Sequence, residues 1–565
     1  MAEPAPIGGV GTPSAVPARV EDHAPSVSSP LNPDAAARLK QPPKREQREK
    51  KDSLKKREAL GLVNEKKAST PEPRGTKRKA SFGADTASHL SPIRYNHPLP
   101  KEPWHYTVRH STFASHEPEP ISAPDGTELK HPVDHAENKK NFRYTHCVAD
   151  PTFVHSRYYR QSESSPYGAR MSFEDSDKWL HFNEVGTMVT NEKGWRTGRA
   201  NVCAREGTFY YEVKIVKGVP RDAPAVPAGT TGPLPHLRIG WARREAPLDT
   251  PVGFDGYSYG LSDIRLEPMH KSRASKFIDD GSENAQSKKS KSKSSKAAQA
   301  KGLAEQGFSA GDDAREGDVI GIEITLPSLS LHRKIVEGDY NPAVDVGSGL
   351  DEPTISINND GALNIVRDRF PVPYKGAMYF ETLEYRSSKG MESYGDRGPF
   401  AKETPSPNHT DPTLRSLPHS SIKIWKNGRR IGTAFRNLMA FLPPASQPEA
   451  GKGVRLGLDD GMLGYYPAIS SFHGGIAEVN FGPKFWYPPP GLAAVDADGD
   501  ATMTDGEPKE PEKAAVWSST AEWRNRMRPI SDRYAEQIAE DVVHDLIDEV
   551  TFFAEDGGNP DSITT

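Results

Sequence analysis

SIKIWKNGRRIGTAF, residues 421–435, reads as a β-hairpin. Ile422 and Ile424 alternate with polar residues, the period of a strand with one buried face, and Trp425 extends the apolar run. Asn427-Gly428 then offers two residues that tolerate positive φ, as the two-residue type I′ turn demands. The same texture runs outward in both directions. WLHFNEVGTMVT (179–190), WRTGRANVC (195–203), GTFYYEVKIV (207–216), HLRIGWA (236–242), GDVIGIEITL (317–326), GYYPAIS (464–470) and GIAEVNFG (475–482) are all short apolar or aromatic runs bounded by Gly, Asn and Pro. Tyr211, Val213 and Ile215 alternate as a half-buried strand does. With no helical crossover between these runs, the fold class is all-β, an antiparallel β-sandwich.

The sandwich is expected over 142–490, interrupted by a low-complexity insert at 271–310 that carries SKKSKSKSSKAAQAK and a long, turn-rich insert at 327–420. Outside it, composition predicts little core. Apolar residues are 35% of the chain with Tyr included; leaving out the 19 Tyr and counting the 48 Gly gives roughly 40%, below the ~45–50% of an ordinary globular chain on that definition. Gly and Pro number 48 and 51 of 565 residues. Residues 1–88 read as a disordered tail, basic from Arg38 to Lys79, followed by a polar linker at 89–141 and an acidic linker at 491–524. In the tail, Lys66-Lys67 and Lys77-Arg78-Lys79 are spaced as a bipartite nuclear-import signal, and such runs also meet phosphate backbones. A solvated charge run is the plain alternative.

The segment 525–556 differs in kind. Ile538-Ala539, Val542-Val543 and Leu546, then Val550, repeat at helical spacing, while 536, 537, 540, 541, 544 and 545 are polar or charged. This predicts an amphipathic helix, with Ser531 or Asp532 as its N-cap after Pro529. Its apolar stripe needs a groove, supplied either by its own sandwich or by a partner helix.

Catalytic layouts are missing from the sequence: no phosphate loop, no strand-linked G-x-G-x-x-G, no H-E-x-x-H, no G-x-S-x-G. The histidines of 89–155, His131 among them, are expected as solvated loop residues, and Cys203 as a buried thiol. Cys147 and Cys203 are the only cysteines, too few for a disulfide scaffold or a cysteine zinc site, and they point to a reducing compartment. No apolar run approaches the roughly 20 residues of a membrane span, and the N-terminus lacks a signal-peptide layout, so a soluble, non-secreted chain is expected. No cofactor and no metal are expected, and chemistry gives way to recognition.

At this point NEKGWRTGRAN, LRIGWARREAPLDTPVGFDGYSYG, MHKS, REGDVIGIEI and VNFGPKFWYPPP become specific enough to name. Together they resemble a SPRY domain, and more narrowly the SPRY subunit of COMPASS/MLL-type histone methyltransferase complexes, the "absent, small or homeotic discs two" family in its shorter fungal form. The resemblance implies a non-catalytic nuclear scaffold that supports methylation of lysine four on histone three by a SET-domain methyltransferase. It implies that Arg238, Pro251 and Phe254, helped by Arg265, hold an acidic segment of a WD-repeat retinoblastoma-binding-type subunit. It also implies that Ile538, Ala539, Val542, Val543, Leu546 and Val550 dock on a dimeric Dpy-thirty-like subunit. Phe254 stands where animal members place Tyr, and SDIRLEPMHKS lacks most of their basic cluster, Arg265 substituting in part. The animal zinc finger is excluded by the cysteine count; the basic tail takes its place and is implied to touch nucleosomal DNA. A SPRY adaptor of another complex, such as a ubiquitin ligase, is the alternative.

Overall fold

In a computed structural model, residues 119–132, 142–146, 166–220, 234–278, 313–351, 370–374, 377–396, 404–448, 459, 461–490, 492 and 526–548 are described. Lys66, Lys67, Lys77, Arg78, Lys79, Val550, most of the lysine-rich insert and the acidic linker lie outside them.

Two sheets face each other. One has the order β12 (Arg273–Ala274), β11 (Pro268–His270), β10 (Ser258–Ser262), β9 (His236–Ala242), β20 (Tyr466–Phe472), β7 (Arg196–Ala200) and β4 (Met171–Ser176). The other runs β18 (Arg429–Arg436), β17 (Ser421–Lys426), β13 (Val319–Leu326), β8 (Gly207–Lys217), β21 (Gly475–Asn480), β6 (Met188–Asn191) and β5 (His181–Phe182), with β22 (Met527–Pro529) added on β8. Every pairing within them is antiparallel except that of β22, which is parallel. Smaller pieces complete the chain: β1 (Ile121–Ser122) with β2 (Glu128–Leu129), β14 (Phe370–Tyr374) and β3 (Phe142–His146) flanking β15 (Ala377–Leu383), and β16 (Tyr385–Arg386) with β19 (Gln447–Pro448). Helices α1 (Leu329–Glu337), α2 (Lys389–Gly395) and α3 (Asp532–Asp548) are the α-helices among the described residues.

The hairpin that opened the reading is present. Lys426 pairs with Arg429 across Asn427 and Gly428, whose φ values of 48° and 77° are those of a type I′ turn. Ile422 and Ile424 turn inward with Ile320, Ile322 and Ile324 of β13, all buried. The two sheets meet at Tyr211 and Trp241, ring centroids 5.0 Å apart and edge-to-face, each wholly buried. β8 is covered on its other face as well, contrary to the half-buried expectation. The Glu212 carboxylate accepts the Trp486 and Tyr487 N–H groups at 2.7 and 3.0 Å, which lays the FWYPPP segment over the strand.

Three other expectations are corrected. Inside the segment read as polar linker, Asp125-Gly126 turns a small hairpin whose Leu129 is wholly buried against Met188 and Ile476. His131 beside it is buried rather than solvated, bonded to the Lys178 carbonyl and edge-on to His181. Within the 327–420 insert, Ser328 caps α1 by accepting the Leu331 N–H, Gly338 closes it at φ 94°, and Leu331, His332, Ile335 and Val336 are buried in the core. Cys203 is buried, as expected of a structural thiol.

Candidate partner-binding surfaces

Alternation in HLRIGWA sends Leu237, Ile239 and Trp241 into the core and leaves His236 and Arg238 on the outer face of the seven-stranded sheet. Register decides their neighbours. Arg238 lies between Ser470 of β20 and Ser262 of β10, and Ser470 in turn faces Thr197 of β7. His236 is opposite Phe472. The Arg238 guanidinium stands 5.2 Å over the Trp195 ring, and Trp195 packs on Phe472 at 5.0 Å. Its Nε is buried without a hydrogen-bond partner among the described residues. Burial lowers the Arg238 pKa and nearby Asp263 acts the other way, but that carboxylate is committed to the His236 ring and the Leu237 N–H, each at 3.0 Å. The result is a half-buried cation on an aromatic floor, suited to the two oxygens of a carboxylate.

The same row of side chains seats the PVGFD loop. Thr197 Oγ1 donates to the Thr250 carbonyl at 2.6 Å, and Ser470 Oγ accepts the Val252 N–H at 2.8 Å. The loop lies so close to β10 that a Cβ on Gly260 would fall 2.4 Å from the Val252 oxygen. Pro251 is buried and Phe254 is 46% exposed. Main-chain bonds then explain why PVGFDG and MHKS belong together. Lys271 N–H donates to Asp255 O at 3.0 Å, Ser272 N–H to Gly253 O at 2.9 Å, and Ser272 Oγ to Phe254 O at 2.9 Å. Below them His270 stacks on Tyr259 at 4.3 Å, and burial pushes its pKa down to about 4.

Ser470 thus gathers Arg238 and the Pro251 loop on one face. Phe254 precedes β10 and Arg265 follows it, so these two stand beyond opposite ends of the strand. Arg265 is exposed, its guanidinium 3.8 Å from Glu267 and its N–H bonded to Asp313 at 2.9 Å. Trp195, Phe472 and Ser470 were not singled out in the sequence. The period of β7 and β20 marks them as outward, but only the pairing of both strands next to β9 puts them beside Arg238.

The second surface is α3. Its start is held by charge: Arg528 pairs with Glu536, Arg533 with Glu536 at 2.5 Å and with Glu540 at 3.1 Å, and all but Glu540 are buried. Arg533 also donates to the Cys203 carbonyl at 3.2 Å. Burial alone would lower the Arg533 pKa; Glu540 and Glu536 more than offset it, and the group stays cationic. Ala535, Ile538 and Ala539 are exposed, Ile538 by 44%. Val542, Val543 and Leu546 continue along the helix backbone, and Val550 lies beyond its described end.

Among the described residues no group of three or more His, Cys, Asp and Glu side chains is placed to hold a metal, and no helix is long and apolar enough to cross a membrane.

No family model matches the chain. It is similar to the COMPASS component cclA of Colletotrichum higginsianum, 43% identical over 572 residues, spanning 98% of this chain and 92% of that protein. It is also similar to the Set1 complex component ash2 of Schizosaccharomyces pombe, 32% identical, over 84% of this chain and 54% of that one. A human SPRY domain aligns with 55% of this chain and 98% of its own length at 12% identity, with a TM-score of 0.22.

Proposed function

The chain belongs to the family of COMPASS and Set1-complex components, and from that premise we propose how this non-catalytic subunit of a histone methyltransferase complex works. Its two surfaces take two different partners. The Arg238 face, with Trp195 beneath the guanidinium and the Pro251 turn seated on the same Thr197–Ser470 row, receives, together with the exposed Phe254, an acidic segment of a WD-repeat retinoblastoma-binding-type subunit. Arg265, three residues past the Ser262 that pairs with Arg238, adds positive charge at the near end of β10. The apolar positions of α3, from Ile538 and Ala539 through Val542, Val543, Leu546 and Val550, receive a dimeric Dpy-thirty-like subunit.

Held at both places, the chain favours the active arrangement of a SET-domain methyltransferase, because the assembled subunits bind that conformer better than the inactive one. The reaction supported is methylation of lysine four on histone three, and this chain gives it no methyl-donor site and no proton-transfer group. Work at chromatin fits a basic N-terminal region. Lys66, Lys67, Lys77, Arg78 and Lys79 import the protein into the nucleus or touch nucleosomal DNA through salt-dependent phosphate contacts.

The observation that carries the two-surface reading is the division of α3. Charged residues face its own sandwich, and Ile538 and Ala539 face away from it. The test is reconstitution of the SET-domain, WD-repeat and Dpy-thirty-like subunits on nucleosomes. Adding this chain is expected to raise methylation of lysine four, and an Arg238→Ala/Ile538→Asp double variant to leave it near the level without the chain. Equal stimulation by the double variant would refute both surfaces.

A further inference from the structure

The first turns of α3 carry contacts that a free-standing helix does not need. β22 lies parallel to β8, Met527 beside Thr208 and Pro529 beside Tyr210, and covers the half of that strand edge that β21 leaves open. The chain then enters the helix fastened on both sides: the Ile530 N–H donates to Tyr210 O at 3.0 Å and the Ser531 N–H to Phe481 O at 3.1 Å. Ile530 is wholly buried. Arg528 lies 4.6 Å over the Phe209 ring and pairs with Glu536. Glu536 is shared with Arg533, and Arg533 reaches both Glu540 and the Cys203 carbonyl. Beside Glu536, Gln537 accepts the Cys203 N–H at 3.1 Å and donates to Asn201 O at 3.3 Å.

Positions 533, 536, 537 and 540 form one stripe at helical spacing, and 535, 538 and 539 form another. An apolar anchor to the sandwich would have consumed the second stripe. A polar anchor leaves it free.

We infer that Arg533, Glu536 and Gln537 are positioning residues that keep the start of α3 folded and aimed before any partner arrives, so that a helical-bundle subunit docks on a preformed apolar stripe in one orientation relative to the Arg238 face. The inference rests on the proposed Dpy-thirty-like contact and adds what prepares it. A 17-residue helix alone is marginal in water. If only a fraction of chains carried it folded, the apparent dissociation constant would rise by the reciprocal of that fraction.

The test uses the full chain and two readouts: amide hydrogen exchange at 533–541 without partner, and the dissociation constant for a dimeric Dpy-thirty-like subunit. In the wild type these amides are expected to be protected. Arg533→Ala is expected to bring these amides close to the unprotected rate, with only about a tenth of the chains carrying the start of α3 folded, and so to weaken binding about tenfold, with Arg533→Lys recovering part of both. The thermal midpoint of the sandwich reports whether Arg533→Ala still folds. Should it fail to fold, Gln537→Ala, which leaves the ion pairs in place, carries the test with a smaller change in the same two readouts. Unprotected amides in the wild type, or lost protection with unchanged affinity, would overturn the inference. Ile538→Asp separates the two ideas: it is expected to abolish binding while protection stays. If Ile538→Asp binds as the wild type does, the partner reading itself fails, and the positioning role falls with it.

Discussion

On the outer face of the seven-stranded sheet, the candidate binding cation is part of the scaffold. Arg238 sits in a central strand, its neighbours Ser470 and Ser262 fixed by ladder register and its floor formed by Trp195. On α3 the arrangement is reversed: ion pairs and the Gln537 amide, with Tyr534 against the core, hold it to the sandwich, and Ala535, Ile538 and Ala539 are exposed. A buried sheet can hold an unpaired guanidinium ready because its fold already excludes water from part of the group. A helix on a stalk can hold an apolar stripe ready only if something else fastens it. The site chemistry in each region is therefore the opposite of its anchoring chemistry.

The largest expected effect breaks the sheet side of this contrast. Arg199 is wholly buried, forked onto Asp175 with both bonds at 2.7 Å, and it also donates to the Arg243 and Ala246 carbonyls at 3.1 and 2.7 Å. It thus supports the loop that leads to Pro251. Arg199→Met, which takes the buried guanidinium from the Asp175 carboxylate, should cost about 3–5 kcal/mol of unfolding free energy, read by urea titration. Loss of under about 1 kcal/mol would show that the face does not depend on this buried pair.

Next, Arg238→Ala should weaken binding of the acidic segment by roughly 2–4 kcal/mol in calorimetry, as for a central hot-spot arginine. Its thermal midpoint should fall only slightly, since the Nε it removes bonds to no described residue and the contact over Trp195 is worth about 1 kcal/mol or less. Binding of the α3 partner should be unaffected. Ile538→Asp is the mirror image: about 2 kcal/mol or more lost for the Dpy-thirty-like subunit, no change for the acidic segment, and no change in stability because the residue is exposed. Crossed effects between these two variants would mean that the surfaces are not independent.

The last effect concerns pH and falls on the fold rather than on either surface. His270 has its pKa lowered from 6.5 to about 4 by burial under the PVGFD loop. The unfolded chain takes up this proton more readily than the folded one, so stability is retained above about pH 6.5 and falls as pH drops toward 4. The thermal midpoint should decline over that window and level off below it. His332, also buried and lowered, adds to the slope, so His270→Gln should flatten the decline without abolishing it.

The sheets were legible in sequence wherever local chemistry specified them, as in the Asn427-Gly428 turn and the alternation of HLRIGWA. What was not legible depended on distant partners. Glu536 and Gln537 fall on the polar face of the helical period, which normally means solvent; Glu536 is buried between Arg528 and Arg533, and Gln537 is half-buried against Asn201 and Cys203, over 330 positions earlier. Leu129 looked isolated in a polar stretch until Met188 and Ile476 came beside it. Arg238 was placed by motif, and the Trp195 floor beneath it needed the β7–β20–β9 order. Apolar periodicity reports which face of an element is buried, but not whether a charged face is also engaged.

The pairing of β22 with β8 has a consequence in time. The edge of β8 around Thr208–Tyr210 waits for Met527–Pro529, more than three hundred residues later in synthesis. At roughly 5–20 residues per second that interval is about 15–60 s. Throughout it, an apolar strand emerging from the ribosome shows open hydrogen-bonding groups to its surroundings. A chain cut short before residue 527 is therefore expected to expose that edge of β8 and to aggregate more readily than the full chain.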